Sequence, residues 1–213
     1  MTLDEAIARL VPGRPLIISD ADEVLLHFIE ALETYLLSRG YFLDLVSFAI
    51  TGNVIEQATG ERAPAATVKT LLRDFFLAVD SIRPVEGAAD ALRELEVGAQ
   101  ILVLSNVPAA AIANRARNLK AAGITAPLIQ NDGLKGDAIA RIARKAGGPV
   151  VFIDDLPNHH NSAATAFPDV HRLQFVANPR LRGLVGKAPD AHARIDEWPL
   201  ALPWIRARLQ GKA

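Results

Sequence analysis

The 213-residue chain contains no cysteine. It can therefore hold neither a disulfide framework nor a Cys-based zinc site, and it suits a reducing compartment. A surplus of charge is also missing: 23 Lys and Arg stand against 24 Asp and Glu, for a net charge of −1. Nothing in that balance favours nucleic acid or an anionic membrane as partner. No segment approaches the ~20 consecutive apolar residues of a membrane span. The opening residues Met1–Ile7 carry two acids, Asp4 and Glu5, and no long apolar run, which argues against a signal peptide. Low-complexity tracts and internal repeats are absent. The expectation is a cytoplasmic protein with no nucleic-acid or membrane partner, of oligomeric state not legible in the sequence.

Half of the residues are hydrophobic, enough for a sizeable core in one domain or one domain with a modest insertion. Thr2 and Glu5 have the spacing of a capping box opening a short helix. Short apolar runs then alternate with longer helical patterns. Leu16-Ile17-Ile18 ends in Ser19-Asp20, Ile101–Leu104 ends at Ser105, and Val150–Ile153 ends at Asp154-Asp155; Pro127–Ile129 and Leu173–Val176 are weaker strand candidates. Runs apolar on both faces suit a parallel sheet covered on both sides. Helical spacing marks residues 86–96, 136–146 and 108–122, the last with Pro108 at its first helical position. The alternation predicts an α/β fold with right-handed crossovers.

Residues 27–83 break the alternation. Phe28, Leu32 and Leu36 mark one helix that Gly40 can end, and Leu71, Leu72, Phe75, Phe76 and Val79 mark another beginning near Pro64. Tyr41–Ile50 fits helix or strand. The segment reads as a small, mainly helical insertion after the first strand.

Ligands of open parallel sheets bind at the carboxyl ends of the strands, so Asp20, Asp22, Ser105, Asp154 and Asp155 should meet in one crevice. Four crowded carboxylates call for a divalent cation and a lysine to offset them, and an oxygen-only site with few protein ligands suits Mg²⁺. In that order the chain resembles the haloacid-dehalogenase superfamily. Ile17-Ile18-Ser19-Asp20-Ala21-Asp22-Glu23-Val24 is similar to its DxDx[T/V] signature, Leu102-Val103-Leu104-Ser105-Asn106 to its second motif, Lys135 within Gly133–Asp137 to its third, and Val151-Phe152-Ile153-Asp154-Asp155 to its fourth. The resemblance covers roughly residues 15–165. It implies an α/β, doubly wound, Rossmann-like core (residues 1–26 and 84–213) carrying a small helical C1-type cap (residues 27–83).

The resemblance also implies roles: Asp20 as the nucleophile that becomes an aspartyl phosphate, and Asp22 as proton donor and then base. Ser105 and Asn106 would hold phosphoryl oxygens, and Lys135 would neutralise charge on Asp20 and phosphate. Mg²⁺ would be held by Asp20, Asp154, Asp155 and the Asp22 carbonyl, with the choice between Asp154 and Asp155 as direct ligand left open. The implied activity is Mg²⁺-dependent hydrolysis of a small phosphorylated metabolite. A phosphotransferase or mutase, and a catalytically silent binding protein, are the alternatives. Two departures stand out: Glu23 occupies a position where glycine is common, and the third motif lacks a Lys-Pro start. Asp20 and Asp22 could also simply cap a helix. His159-His160 reads as a loop or capping pair rather than a metal site, Asn158 and Asn161 as supports of the acidic loop, and Phe75-Phe76 as cap core. Arg62 is the first candidate for reading an anionic substrate, because it follows a Gly turn and could point into the crevice.

Overall fold

A computed structural model describes residues 1–211. In chain order the elements are α1 (Leu3–Arg9), β1 (Leu16–Ser19), α2 (Phe28–Leu37), β2 (Tyr41–Leu43), β3 (Val54–Glu56), α3 (Ala65–Ala78), α4 (Ala88–Glu96), β4 (Gln100–Ser105), α5 (Ile112–Ala121), β5 (Leu128–Gln130), α6 (Gly136–Ala146), β6 (Val150–Asp154), α7 (Pro157–Ala166), β7 (His171–Gln174), α8 (Pro179–Arg182), β8 (Ala193–Arg194) and α9 (Trp198–Leu209). Six strands form one sheet in the order β5-β4-β1-β6-β7-β8, and every pairing in it is parallel. This is the expected α/β, Rossmann-like sheet.

The central strands are apolar on both faces, and their side chains divide with the period of two that a pleated strand imposes. Ile17, Ile101, Val103, Val151 and Ile153 face one core cluster, while Leu16, Ile18, Leu102, Leu104, Val150 and Phe152 face the other, against α1, α6 and α7. The first cluster runs on without a break into residues 28–78, taking in Leu32, Tyr35, Leu43, Val54, Val68 and Phe75. The excursion after β1 therefore buries its apolar stripe against the sheet's own layer of side chains.

Several local expectations hold. The Thr2–Glu5 capping box opens α1 with both reciprocal bonds made. Gly147, in the left-handed conformation at φ 61°, ends α6. Others are corrected. Tyr41–Ile50 begins as a strand: β2 pairs antiparallel with β3, so the excursion carries a hairpin between its helices. Pro108 precedes a 3-10 turn at Ala109–Ala111, and the α-helix proper starts only at Ile112. His159 and His160 lie inside α7 and are buried. Asn161 reaches Asp190 rather than the acidic loop.

Helices α6 and α7 come into close approach at Gly136, where an added Cβ would lie 2.3 Å from the Ser162 carbonyl oxygen. Both the helix carrying Lys135 at its N-cap and the helix following Asp154-Asp155 are set by this approach. Gly136→Ala forces the two backbones apart, because the obstructing atom is not a side chain that can turn away. The expected loss is about 1–3 kcal/mol of stability, read by denaturant unfolding, together with loss of any activity that needs Lys135. A variant as stable as the parent would show that the helices separate freely.

Candidate active site

The chemistry-bearing residues collect at the carboxyl ends of β1, β4 and β6. Asp20 follows β1 directly, and its N–H donates to the Ile153 carbonyl at 2.8 Å, which continues the ladder one residue past the strand. Asp154 is the last residue of β6 and Ser105 the last of β4. Lys135 enters from the N-terminus of α6. Its ammonium donates to Asp20 Oδ1 at 2.6 Å and to Asp154 Oδ2 at 2.7 Å, all three groups being buried. The second Asp154 oxygen accepts from the Leu156 N–H at 2.9 Å, and His160 Nε2 lies 3.0 Å from the Asp154 carbonyl. Asp154 is thus fully engaged. Asp155, its neighbour, is buried but 8 % exposed where Asp154 is fully covered, and its carboxylate takes part in no hydrogen bond or ion pair among the described residues.

The electrostatics follow from this crowding. Burial pushes the Asp20 carboxyl up to about 7; Lys135 opposes the rise, while Asp154 and Asp22 add to it. Asp155 is raised well above the usual carboxylate range, first by burial and then by the charges of Asp154, Asp20 and Glu23. Burial alone would lower the Lys135 ammonium, but Asp154 and Asp20 outweigh it and the net shift is upward. One lysine therefore faces three buried carboxylates; the raised Asp20 and Asp155 carboxyls hold protons to relieve that crowding, and a divalent cation would take the place of those protons. Among the described residues no three His, Asp or Glu side chains are already gathered around a metal-sized point. Asp20 and Asp155, which both border the cavity, are the buried carboxylates a cation could reach.

A cavity of about 290 Å³ opens over these groups. Of the residues singled out in the sequence, Asp20, Asp22, Asn106, Lys135 and Asp155 line it. Ser105 and Asp154 do not: both are wholly buried at their strand ends, and the Ser105 hydroxyl has no partner among the described residues. Asn106 Nδ2 donates to the Gly133 carbonyl at 2.8 Å, and its Oδ1 accepts from Asn131 at 2.8 Å. These bonds tie the β4 end to the loop that leads to Lys135. His159 also lines the cavity; burial lowers its pKa and favours the neutral ring. Arg62 does not line it. That side chain is exposed and donates to the Gly52 carbonyl, so the expectation that it reads a substrate anion is not met.

Three features were not foreseen. Arg115 of α5 is 1 % exposed, and one of its terminal nitrogens lies 2.7 Å from Asp22 Oδ1 and 2.9 Å from Oδ2. The Phe76 ring lies over the same guanidinium, 5.5 Å from centroid to carbon. Glu23, the departure from a position where glycine is common in related motifs, takes the left-handed conformation itself (φ 56°). Its carboxylate accepts the Ile29 N–H in the first turn of α2 and the Asn178 N–H before α8, each at 2.8 Å. Burial pushes that carboxyl up to about 7 in spite of the two donors. Finally, Phe28, Phe48, Ile50, Phe76 and Leu181 give the cavity an apolar lining beside the carboxylates. An isolated arginine reads in sequence as a solvated charge, and nothing in its spacing announces Arg115.

Family models and curated protein sequences give no match to the chain. Solved structures do. A haloacid-dehalogenase-family hydrolase from Deinococcus radiodurans, solved with bound phosphate and sodium, superposes with a TM-score of 0.65 at 20 % identity, over 95 % of this chain and 99 % of that one. A hydrolase of the same type from Bacillus subtilis, solved bound to magnesium, gives 0.60 at 11 % identity over 92 % and 99 %. An L-2-haloacid dehalogenase gives 0.57 at 11 % identity over 92 % and 100 %. These neighbours span more than one reaction, and at such identities they speak to architecture. The chain has the fold of the haloacid-dehalogenase-like hydrolases.

Proposed function

We propose that the protein is a Mg²⁺-dependent hydrolase of phosphate monoesters that works through an aspartyl phosphate on Asp20. One observation carries this reading: Asp20 and Asp22 both border the cavity, two residues apart, with Lys135 on the first and Asp155 open beside it. A halide leaves without a proton, so its displacement needs no acid beside the nucleophile, whereas an alkoxide must be protonated as it leaves. Both reactions later need a base for water, and it is the proton-donor role of a second carboxylate that favours phosphate esters. The phosphate and magnesium in the two hydrolases of the same fold are in keeping with this choice.

The residues then divide the work. A carboxylate oxygen of Asp20 attacks phosphorus as the bond to the leaving oxygen breaks, and Asp22 supplies the proton that the leaving oxygen takes. In the second half Asp22 removes a proton from water, the water oxygen bonds to phosphorus, and the acyl phosphate bond to Asp20 breaks. Lys135 holds Asp20 at a fixed angle and offsets the charge on the phosphoryl group. Asn106, next to a helix-opening turn, is suited to holding phosphoryl oxygens through its backbone N–H, since its side chain is taken up by Gly133 and Asn131. Asp155 is the better direct metal ligand, because both oxygens of Asp154 are already engaged. Bound Mg²⁺ would supply charge stabilisation for the transferring phosphoryl group. Arg115 touches no reacting atom and acts by holding Asp22. The excursion at residues 27–83 serves as the cap that closes over the site.

Asp20→Asn should abolish turnover of phosphate esters while leaving the melting temperature close to the parent's, because the amide fills the same space but cannot attack phosphorus. Turnover at the parental rate in the purified variant sinks the reading. Asp155→Asn should raise the Mg²⁺ concentration for half-maximal activity by about tenfold or more; an unchanged Mg²⁺ dependence removes Asp155 from the metal.

The Arg115–Asp22 pair is testable by a double-mutant cycle. Arg115→Met and Asp22→Asn, alone and together, should show a coupling energy on the order of 1 kcal/mol in unfolding. Arg115→Met should also lower kcat more than it changes KM, because Asp22 loses its fixed orientation. Strict additivity with unchanged kinetics would mean the pair does nothing.

A further inference from the structure

The cavity's lining is of two chemical kinds. The charged groups Asp20, Asp22, Lys135 and Asp155 make its carboxylate floor. Its apolar wall is built by Phe28 and Ile29 of α2, Phe48 and Ile50 of the β2–β3 connection, Phe76 of α3 and Leu181 of α8, and it meets the charged groups at Phe76, whose ring covers the guanidinium held by Asp22. Phe28 and Phe76 stack on each other at 5.7 Å with 25° between their planes. Phe28, Phe48, Ile50 and Phe76 are each half-buried, so they keep apolar surface facing the open space.

What this wall lacks decides the matter. The only cation among the cavity's lining residues apart from a histidine is Lys135, and it already bridges Asp20 and Asp154. The Arg115 guanidinium is held by Asp22 and covered by Phe76. Arg62 is turned to Gly52. Glu23 borders the cavity, but both its oxygens accept backbone N–H groups. A second anionic group on the substrate would meet no counter-charge on this wall, and sugar hydroxyls would lose water without gaining partners. An aromatic or branched aliphatic group would instead remove its own surface and that of three phenyl rings from water.

Resting on the phosphatase reading above, we propose that the substrate is the phosphate monoester of an apolar alcohol, with one aromatic ring or a short branched chain and no second charge. The phosphoryl group lies on the carboxylate floor and the apolar group against Phe28, Phe48, Ile50 and Phe76. Sugar phosphates and phosphorylated hydroxy acids are excluded by the same wall.

The test separates binding from chemistry. Titration calorimetry with Mg²⁺ present compares three non-hydrolysable phosphonates: benzylphosphonate, methylphosphonate and phosphonoacetate. Benzylphosphonate should bind at least tenfold more tightly than either of the others. Phe48→Ser, at a half-buried loop position outside every helix and strand, should reduce that advantage severalfold while methylphosphonate affinity is unchanged. Ile50→Asn serves as a second wall variant if the first is unstable. Equal affinities, or tighter binding of phosphonoacetate, overturn the proposal. Turnover of benzyl phosphate is measured alongside. A benzyl preference without turnover keeps the apolar subsite and removes the phosphatase reading, whereas turnover with flat affinities does the reverse.

Discussion

Everything at the candidate site depends on one buried cation. Lys135 sits between Asp20 and Asp154, and so between the ends of β1 and β6, two neighbouring strands. Two carboxylates this close would repel each other and drift apart or take up protons. With the ammonium between them they are held at a separation set by two short hydrogen bonds. The position of that ammonium is in turn a matter of backbone packing, since Gly136 lets α6 come against the α7 carbonyl of Ser162. The site's electrostatics are therefore fixed by a helix contact made of a glycine and a carbonyl, and not by the polar groups alone.

The arrangement is also unfinished. Asp154 has its full set of partners while Asp155, beside it, has none for its carboxylate among the described residues. The polar balance around Lys135 closes for two acids and leaves the third. On the function proposed above, that remainder is where the metal would be held, and Asp155 borders the cavity. The half-buried apolar residues Phe28, Phe48, Ile50 and Phe76 border the same cavity.

The sheet was legible because parallel strands covered on both faces must be apolar at nearly every position, and β1, β4 and β6 are. The ends of those strands were legible for the complementary reason: a carboxylate directly after such a run has nowhere to go but the crevice. The hairpin was not. β2 and β3 contribute three residues each, too few for a period of two to stand out from a helical pattern. Arg115 was unreadable because a buried and an exposed arginine look alike until its partner is known, and that partner lies 93 residues earlier. His159 and His160 suggested a loop, but α7 starts at Pro157 and takes them in. The final helix, with Pro203 in its interior, is one that local propensity argues against. Trp198 anchors it by burying its ring and donating to the Val24 carbonyl at 2.9 Å.

Glu23 joins three parts of the molecule through one side chain and one strained backbone angle: the loop after β1, the first turn of α2 and the approach to α8. A residue other than glycine at φ 56° costs on the order of 1 kcal/mol, so replacement by glycine would relax the main chain. The same replacement would strip two buried N–H groups of their acceptor, at about 1–3 kcal/mol each. Glutamine would keep the reach but turn one acceptor into a donor facing a donor. Glycine and glutamine therefore each give up an acceptor that the fold uses at this position. A lineage carrying glutamate here can return to glycine only after the segments around Ile29 and Asn178 have found other partners.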